Sequence, residues 1–171
     1  MAERLGVVLV GHGAPAADCP PELVAKLKRL EAERRRRGGP PSEEEREVER
    51  AVREWPRTAE NDPYRMGLEA LISALAAQVP EAHVVAAYNE FCAPTLEQAV
   101  LALASAGHEE IVVVPSMLTR GGVHSEVEIP EAIEALAPRL PPGVQVRYAW
   151  PFVEREIAAL LAARVRALRA R

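Results

Sequence analysis

A chain of 171 residues, nearly half of them apolar but only 4% aromatic, is long enough to bury one full core and too apolar to be disordered. Its net charge of −4 argues against a nucleic-acid backbone as partner, and its one dense basic run, Arg34–Arg37, is followed closely by Glu43–Glu45. Two cysteines, Cys19 and Cys92, without a C-x-x-C pair exclude a disulfide scaffold and suit a reduced compartment. With no signal-peptide pattern and no membrane-length apolar run, a membrane is not an expected partner and the cytoplasm is the expected location.

Leu5–Val10 is a short β-branched run ending at Gly11, the pattern of a central parallel strand buried on both faces. Pro20–Pro56 differs in character. Leu23, Leu27 and Leu30 make one thin stripe at helical spacing, Val48, Val52 and Trp55 another, and Gly38-Gly39-Pro40-Pro41 breaks the chain between them. Its ten Lys/Arg and nine Asp/Glu make it a salt-laced helical hairpin, read as an insertion at 20–56 that serves either as a lid or as an interface.

Asp62-Pro63 is a capping side chain followed by proline at the first helical position, and Leu68, Leu71, Ile72 and Leu75 predict a helix packed on the sheet. His83–Tyr88 predicts a second strand. Pro94-Thr95 opens a helix with Leu96, Val100 and Leu103 in register, ended by Gly107. Ile111–Val114 is the third strand, closed by Pro115, and Ser116–Glu128 reads as a loop. The next helix, faced by Ile129, Ile133, Leu136 and Leu140, has Pro130 in its first turn, because an interior proline costs about 3 kcal/mol; that argues against a start at the Ser125-x-x-Glu128 capping-box pattern. Val144–Tyr148 is a fourth strand, and Glu154–Arg171 a terminal helix marked by Ile157, Leu160, Leu161, Val165 and Leu168. Strands alternating with helices imply one α/β domain over 1–171, with a parallel four-stranded sheet and helices on both faces.

His12, in Gly-His-Gly, and His124, in Gly-Gly-Val-His, both lie beyond the C-terminal end of a strand, where open α/β sheets carry their chemistry. A histidine in such a turn either bonds a loop carbonyl or reaches a ligand, and both readings stand for His12. Glu90 follows the second strand and so reaches the same end, unless it only serves the N-terminus of the Pro94 helix. Two imidazoles and a carboxylate suit a divalent transition metal, and an imidazole can accept a proton from a weakly acidic N–H at neutral pH. His83 and His108 read as surface or strand-edge residues, Glu128 as a helix-start residue, and Arg65 and Arg120 as surface arginines able to clamp carboxylates. Cys92 has no base spaced to activate it.

Leu-Val-Gly-His-Gly at 9–13, Tyr-Asn-Glu with Pro-Thr at 88–95, Ile-Val-Val-Val-Pro at 111–115 and Gly-Gly-Val-His-Ser-Glu-Val-Glu-Ile-Pro at 121–130 together resemble the small tetrapyrrole metal chelatases, the sirohydrochlorin cobaltochelatase family. The resemblance covers residues 5–15 and about 63–160 and leaves the hairpin outside. Ala14-Pro15 and Trp150-Pro151-Phe152 depart from the family pattern. The resemblance implies a flavodoxin-like sheet and a homodimer. It further implies a lyase that inserts cobalt, iron or nickel into sirohydrochlorin without an organic cofactor, the divalent metal being a substrate. It assigns His12, His124 and Glu90 as metal ligands and proton acceptors, and Gly13, Arg120, Gly121 and Gly122 as substrate contacts. The alternative is a non-catalytic carrier of metal or tetrapyrrole with the same three residues. A hydrolase would need a G-x-S-x-G elbow, which is missing, and a phosphate binder a longer glycine loop than Gly11-x-Gly13.

Overall fold

The computed structural model describes residues 5–169. Four strands, β1 (Leu5–Gly11), β2 (Ala82–Tyr88), β3 (Glu110–Pro115) and β4 (Gln145–Tyr148), form one parallel sheet in the order β2-β1-β3-β4. Among the described residues six α-helices accompany it: α1 (Pro21–Arg37), α2 (Glu43–Arg53), α3 (Pro63–Ala76), α4 (Leu96–Ser105), α5 (Ile129–Leu136) and α6 (Glu154–Arg169).

β1 is apolar throughout because it is covered on both sides. Val8 and Val10 enter a core with Leu96, Val100 and Leu103 of α4 and Ile129 and Leu136 of α5, while Leu9 turns to Leu68 of α3 and Tyr88. Right-handed crossovers explain the split. The step from β1 out to β2 puts α3 on one face, and the steps from β2 to β3 to β4 run the other way and put α4 and α5 on the opposite face. The direction reverses between β1 and β3, which opens a crevice at the C-terminal ends of the strands.

Local signals set the helix starts. Asp62 accepts from the Arg65 amide at 2.9 Å with Pro63 behind it, and Thr95 and Gln98 form a complete capping box on α4. Ser42 caps α2 by accepting from the Glu45 amide at 3.1 Å. The α1–α2 hairpin closes its thin stripes on the loop end of the sheet rather than on the sheet itself. Leu27, Val48 and Val52 share a small core with Ala16, Cys19 and Phe91.

Two expectations are corrected here, and the proline start of the fifth helix holds. The segment 116–128 is not loop throughout: His124–Glu128 winds as a π-helical turn that runs directly into α5. Pro130 stands in the first turn of α5, as its missing amide requires, and no side chain caps that helix. The terminal helix lacks the buried face its periodicity predicts. No residue of α6 is buried, and Leu160, Leu161, Val165 and Leu168 are 57–62% exposed. The expected end of this helix at Arg171 lies outside the described residues. Among the described residues, no helix is long and apolar enough to cross a membrane.

Candidate metal centre

Three strand exits lie side by side because the sheet ladder continues into their loops. The Asn89 amide donates to Gly11 at 2.9 Å, the Glu90 amide to His12 at 2.8 Å, and the Ser116 amide to Val10 at 2.8 Å. Gly13 then turns at φ +89°, and its α-carbon lies so near the Glu90 carbonyl that a β-carbon would come within 1.9 Å of that oxygen. No side chain fits there, so the glycine is what brings the His12 turn against the Glu90 loop. Beyond Glu90 the chain bends through Phe91 at φ 59°, an unusual region for a bulky residue that costs about 1–3 kcal/mol unless the surroundings enforce it.

Two arginines enforce it. Arg57 donates to the carbonyls of Ala14, Val52 and Phe91 and pairs with Asp62 at 2.7 Å, with the Arg57 and Asp62 side chains only 6% and 2% exposed. Arg53 of α2 donates to the carbonyls of Asn89 and Cys92, each at 2.9 Å, and pairs with Glu49 at 2.8 Å. The hairpin is thus tied into the loops that carry His12 and Glu90. The sequence held no signal for either arginine, and it gave Asp62 only its capping role.

The structure brings His12, Glu90 and His124 together. One ligand atom from each lies within 4.8 Å of the other two, in the one such cluster among the described residues. Nε2 of His12 is 3.8 Å from Oε2 of Glu90, and the two imidazoles meet edge to face with centroids 4.8 Å apart. Donors on one tetrahedral ion sit about 3.4 Å apart for bonds of about 2.1 Å, so small side-chain rotations close this set on a metal.

Hydrogen bonds aim the rings. Nδ1 of His12 is 2.9 Å from the Gly13 carbonyl, which can only accept, so the proton resides on Nδ1 and the Nε2 lone pair faces Glu90. The His12 amide donates to the Tyr64 hydroxyl at 2.7 Å. Nδ1 of His124 lies 2.6 Å from Oε2 of Glu128, and the Asn89 side-chain nitrogen is 2.7 Å from the same oxygen and 2.6 Å from Nδ1. A carboxylate accepts only, so Nδ1 of His124 donates to it and Nε2 keeps its lone pair. Burial alone would raise the Glu128 pKa. The hydrogen bonds from His124 and Asn89, with the charges of His124 and Arg35, outweigh it and hold the carboxyl below its ordinary value. Glu128 stands at the start of α5, as expected, but its side chain makes no cap there and is the orienting partner of His124. The π-helical turn allows this by placing the two side chains one turn apart, and the Tyr148 hydroxyl pins the turn by donating to Ser125 at 2.9 Å. Burial pushes that phenol up to about 12, keeping it a donor.

The remaining candidates fall elsewhere. Arg120 pairs with Glu154 at 3.1 Å and lines a cavity with Phe152, Ile157 and Leu161, and Arg65 pairs with Glu69 at 2.7 Å. Gly121 and Gly122 sit in an exposed loop, where Glu126 accepts from the Gly121 amide at 3.2 Å. Cys92 is buried, and burial pushes its thiol up, away from the thiolate a nucleophile needs. His108 is not a surface residue: it is 7% exposed, and its Nε2 lies 3.3 Å from Nδ1 of His83 at the opposite end of the strands. Beside the triad, α1 and α2 close a polar cavity of about 170 Å³ lined by Glu31, Arg34, Arg35, Arg53, Glu90 and Glu128, among others. Within it, burial and then the charge of Glu90 raise the Glu31 pKa.

The family model described as CbiX matches residues 59–168. Among solved structures, a CbiX protein of cobalamin (vitamin B12) biosynthesis from Marinobacter aquaeolei VT8 is similar at 20% identity and a TM-score of 0.56, covering 98% of this chain and 99% of that one. The sirohydrochlorin chelatase SirB from Bacillus subtilis subspecies spizizenii, solved in complex with cobalt, aligns over 86% of this chain and 43% of its own at 20% identity and a TM-score of 0.44. No curated protein matches the sequence.

Proposed function

The chain belongs to the CbiX family, and from that premise we propose that it is a tetrapyrrole metal chelatase that inserts a divalent ion, cobalt or else iron or nickel, into sirohydrochlorin. The observation that carries this reading is the convergence of His12, Glu90 and His124 at the crevice between the strand exits. Imidazole and carboxylate accept all three metals, so availability helps decide which is inserted.

In this reading Nε2 of His12 and Nε2 of His124 take the incoming ion, and the Glu90 carboxylate offsets part of its charge. The macrocycle approaches from the open side of the crevice. As the metal passes to the ring nitrogens, two N–H protons leave, and the imidazoles released from the metal, with Glu90 beside them, accept them. The product is the neutralised metal–macrocycle core plus two protons, and no electrons move. The hydrogen bonds from Nδ1 of His12 to the Gly13 carbonyl and from Nδ1 of His124 to Glu128 keep the two lone pairs aimed at the ion throughout.

We also read the chain as a homodimer. The unburied aliphatic residues of α6 and the half-buried Val112, on the face of β3 opposite α4 and α5, support this. Light scattering coupled to gel filtration tests it, and a monomer at micromolar concentration would exclude it.

An absorbance assay with sirohydrochlorin and Co²⁺, Fe²⁺ or Ni²⁺ tests the activity. The wild type should insert at least one of them well above the spontaneous rate, and His12→Ala and His124→Ala should each fall towards that rate. Stoichiometric binding without turnover would make the protein a carrier instead.

A further inference from the structure

The hairpin lies outside the residues matched by the family model, yet it forms one wall of a cavity whose other wall is the Asn89–Phe91 loop with Glu128, so that Glu90 is the one residue of the triad that lines it. Arg53 and Arg57 fasten it to four loop carbonyls around that centre, so it is a fixed part of the site rather than a freely swinging lid. The cavity, about 170 Å³, is smaller than the roughly 300–1,000 Å³ of pockets that enclose a whole small molecule. It cannot take a macrocycle, but it can take one carboxylate-bearing arm of a macrocycle seated over the triad.

Three cations line this cavity, and their engagement differs. Arg34 is bound to the buried carboxylate of Glu45 at 2.7 Å. Arg53 spends its guanidinium on Glu49 and two carbonyls. Arg35 alone of the three is loosely held: its Nη2 is 4.0 Å from Oε1 of Glu128, beyond hydrogen-bond distance, and its side chain is 62% exposed. A guanidinium with its donors uncommitted, next to a cavity at the edge of the centre, is equipped to grip a carboxylate through two parallel N–H···O bonds.

We propose that the cavity between the hairpin and the Asn89–Phe91 loop is a subsite for a carboxylate arm of the macrocycle, with Arg35 as its anchor. This rests on the chelatase reading, and it makes the inserted hairpin a substrate-positioning element. Arg35 lies 4.0 Å from the carboxylate that orients His124, so an arm gripped there sits beside that carboxylate and fixes the ring relative to the metal ligand.

The test compares wild type, Arg35→Ala and Arg35→Lys in the cobalt-insertion assay, with Co²⁺ affinity of each measured separately in the absence of macrocycle. Loss of a bidentate anchor that acts equally on bound substrate and transition state should raise KM for sirohydrochlorin by about tenfold in Arg35→Ala with kcat nearly unchanged, and lysine should restore part of it. Co²⁺ affinity should stay within about twofold across the three proteins, because Arg35 touches no metal ligand and the hydrogen bonds from His124 and Asn89, not Arg35, hold Glu128 in place. With the methyl-esterified macrocycle the difference between wild type and Arg35→Ala should vanish. An active wild type whose KM is unmoved by Arg35→Ala, or whose difference persists on the ester, overturns the subsite. A wild type that inserts no metal overturns the chelatase reading itself, and that outcome is distinct.

Discussion

Gly13 and Glu90 are in contact through backbone alone: the space where a β-carbon of residue 13 would lie is filled by the Glu90 carbonyl oxygen, 1.9 Å from that position. The contact sets the distance between a histidine turn and a carboxylate loop that come from adjacent strands. Alanine at 13 would meet both this clash and a left-handed φ of +89°. Gly13→Ala should therefore lose more than about 1 kcal/mol of stability, and metal affinity with it, because the Glu90 loop must move away. Urea denaturation and Co²⁺ titration of the variant check both, and an unchanged Co²⁺ affinity would separate the contact from the site.

Glu128 aims His124 without facing the metal. Glu128→Gln keeps the shape but offers Nδ1 of His124 a weaker and ambiguous partner. Removing such an orienting group costs roughly 10–100-fold in metal affinity or activity, and that range is expected here. The Co²⁺ isotherm of the variant measures it. An affinity within twofold of wild type would mean that His124 is held by the π-helical turn alone.

The same carboxylate predicts a pH dependence. Its pKa in the fold is depressed, so the stability it contributes is present above its unfolded value, near 4.5, and is lost as pH falls through the folded value. The stability gap between wild type and Glu128→Gln should accordingly be widest at neutral pH and shrink below about pH 4.5. Denaturant unfolding of both proteins across pH 3 to 7 decides it, and a gap that widens in acid contradicts the assignment.

Arg57 and Asp62 form a buried pair whose partners are the loops of the site. Removing one member of such a pair costs about 3–5 kcal/mol, because the other charge stays buried and uncompensated. At about 2–4 °C per kcal/mol for a chain of this size, Arg57→Met should lower Tm by roughly 10 °C. Calorimetry of Arg57→Met and of Asp62→Asn should find both losses, and the double variant should lose less than their sum. Additive losses would mean that the two side chains do not act as a pair.

The sheet was legible in the sequence because its strands are short, apolar and bounded by glycine and proline, and β1 could only be a strand covered on both faces. Asp62-Pro63 and Thr95 announced their helices through capping chemistry. His12, Glu90 and His124 could be grouped from the sequence because each follows a strand, and parallel strands in one sheet release their chains at the same end. What could not be read was long-range or conformational. Arg57 and Arg53 look like any other arginine in a charge-rich stretch, since their partners are carbonyls up to 43 residues away. The role of Glu128 depends on a π-helical turn, which has no local composition signal. α6 carries the period of a packed helix, and periodicity does not reveal which surface, or which copy of the chain, its apolar residues meet.

The central claim is that the imidazoles of His12 and His124 and the carboxylate of Glu90 share one ion. Crystals grown with Co²⁺ and measured on both sides of the cobalt absorption edge test it directly. The account predicts an anomalous peak within about 2.0–2.2 Å of Nε2 of His12, Nε2 of His124 and a Glu90 oxygen. A peak bound elsewhere, or at only one of the two histidines, would contradict it.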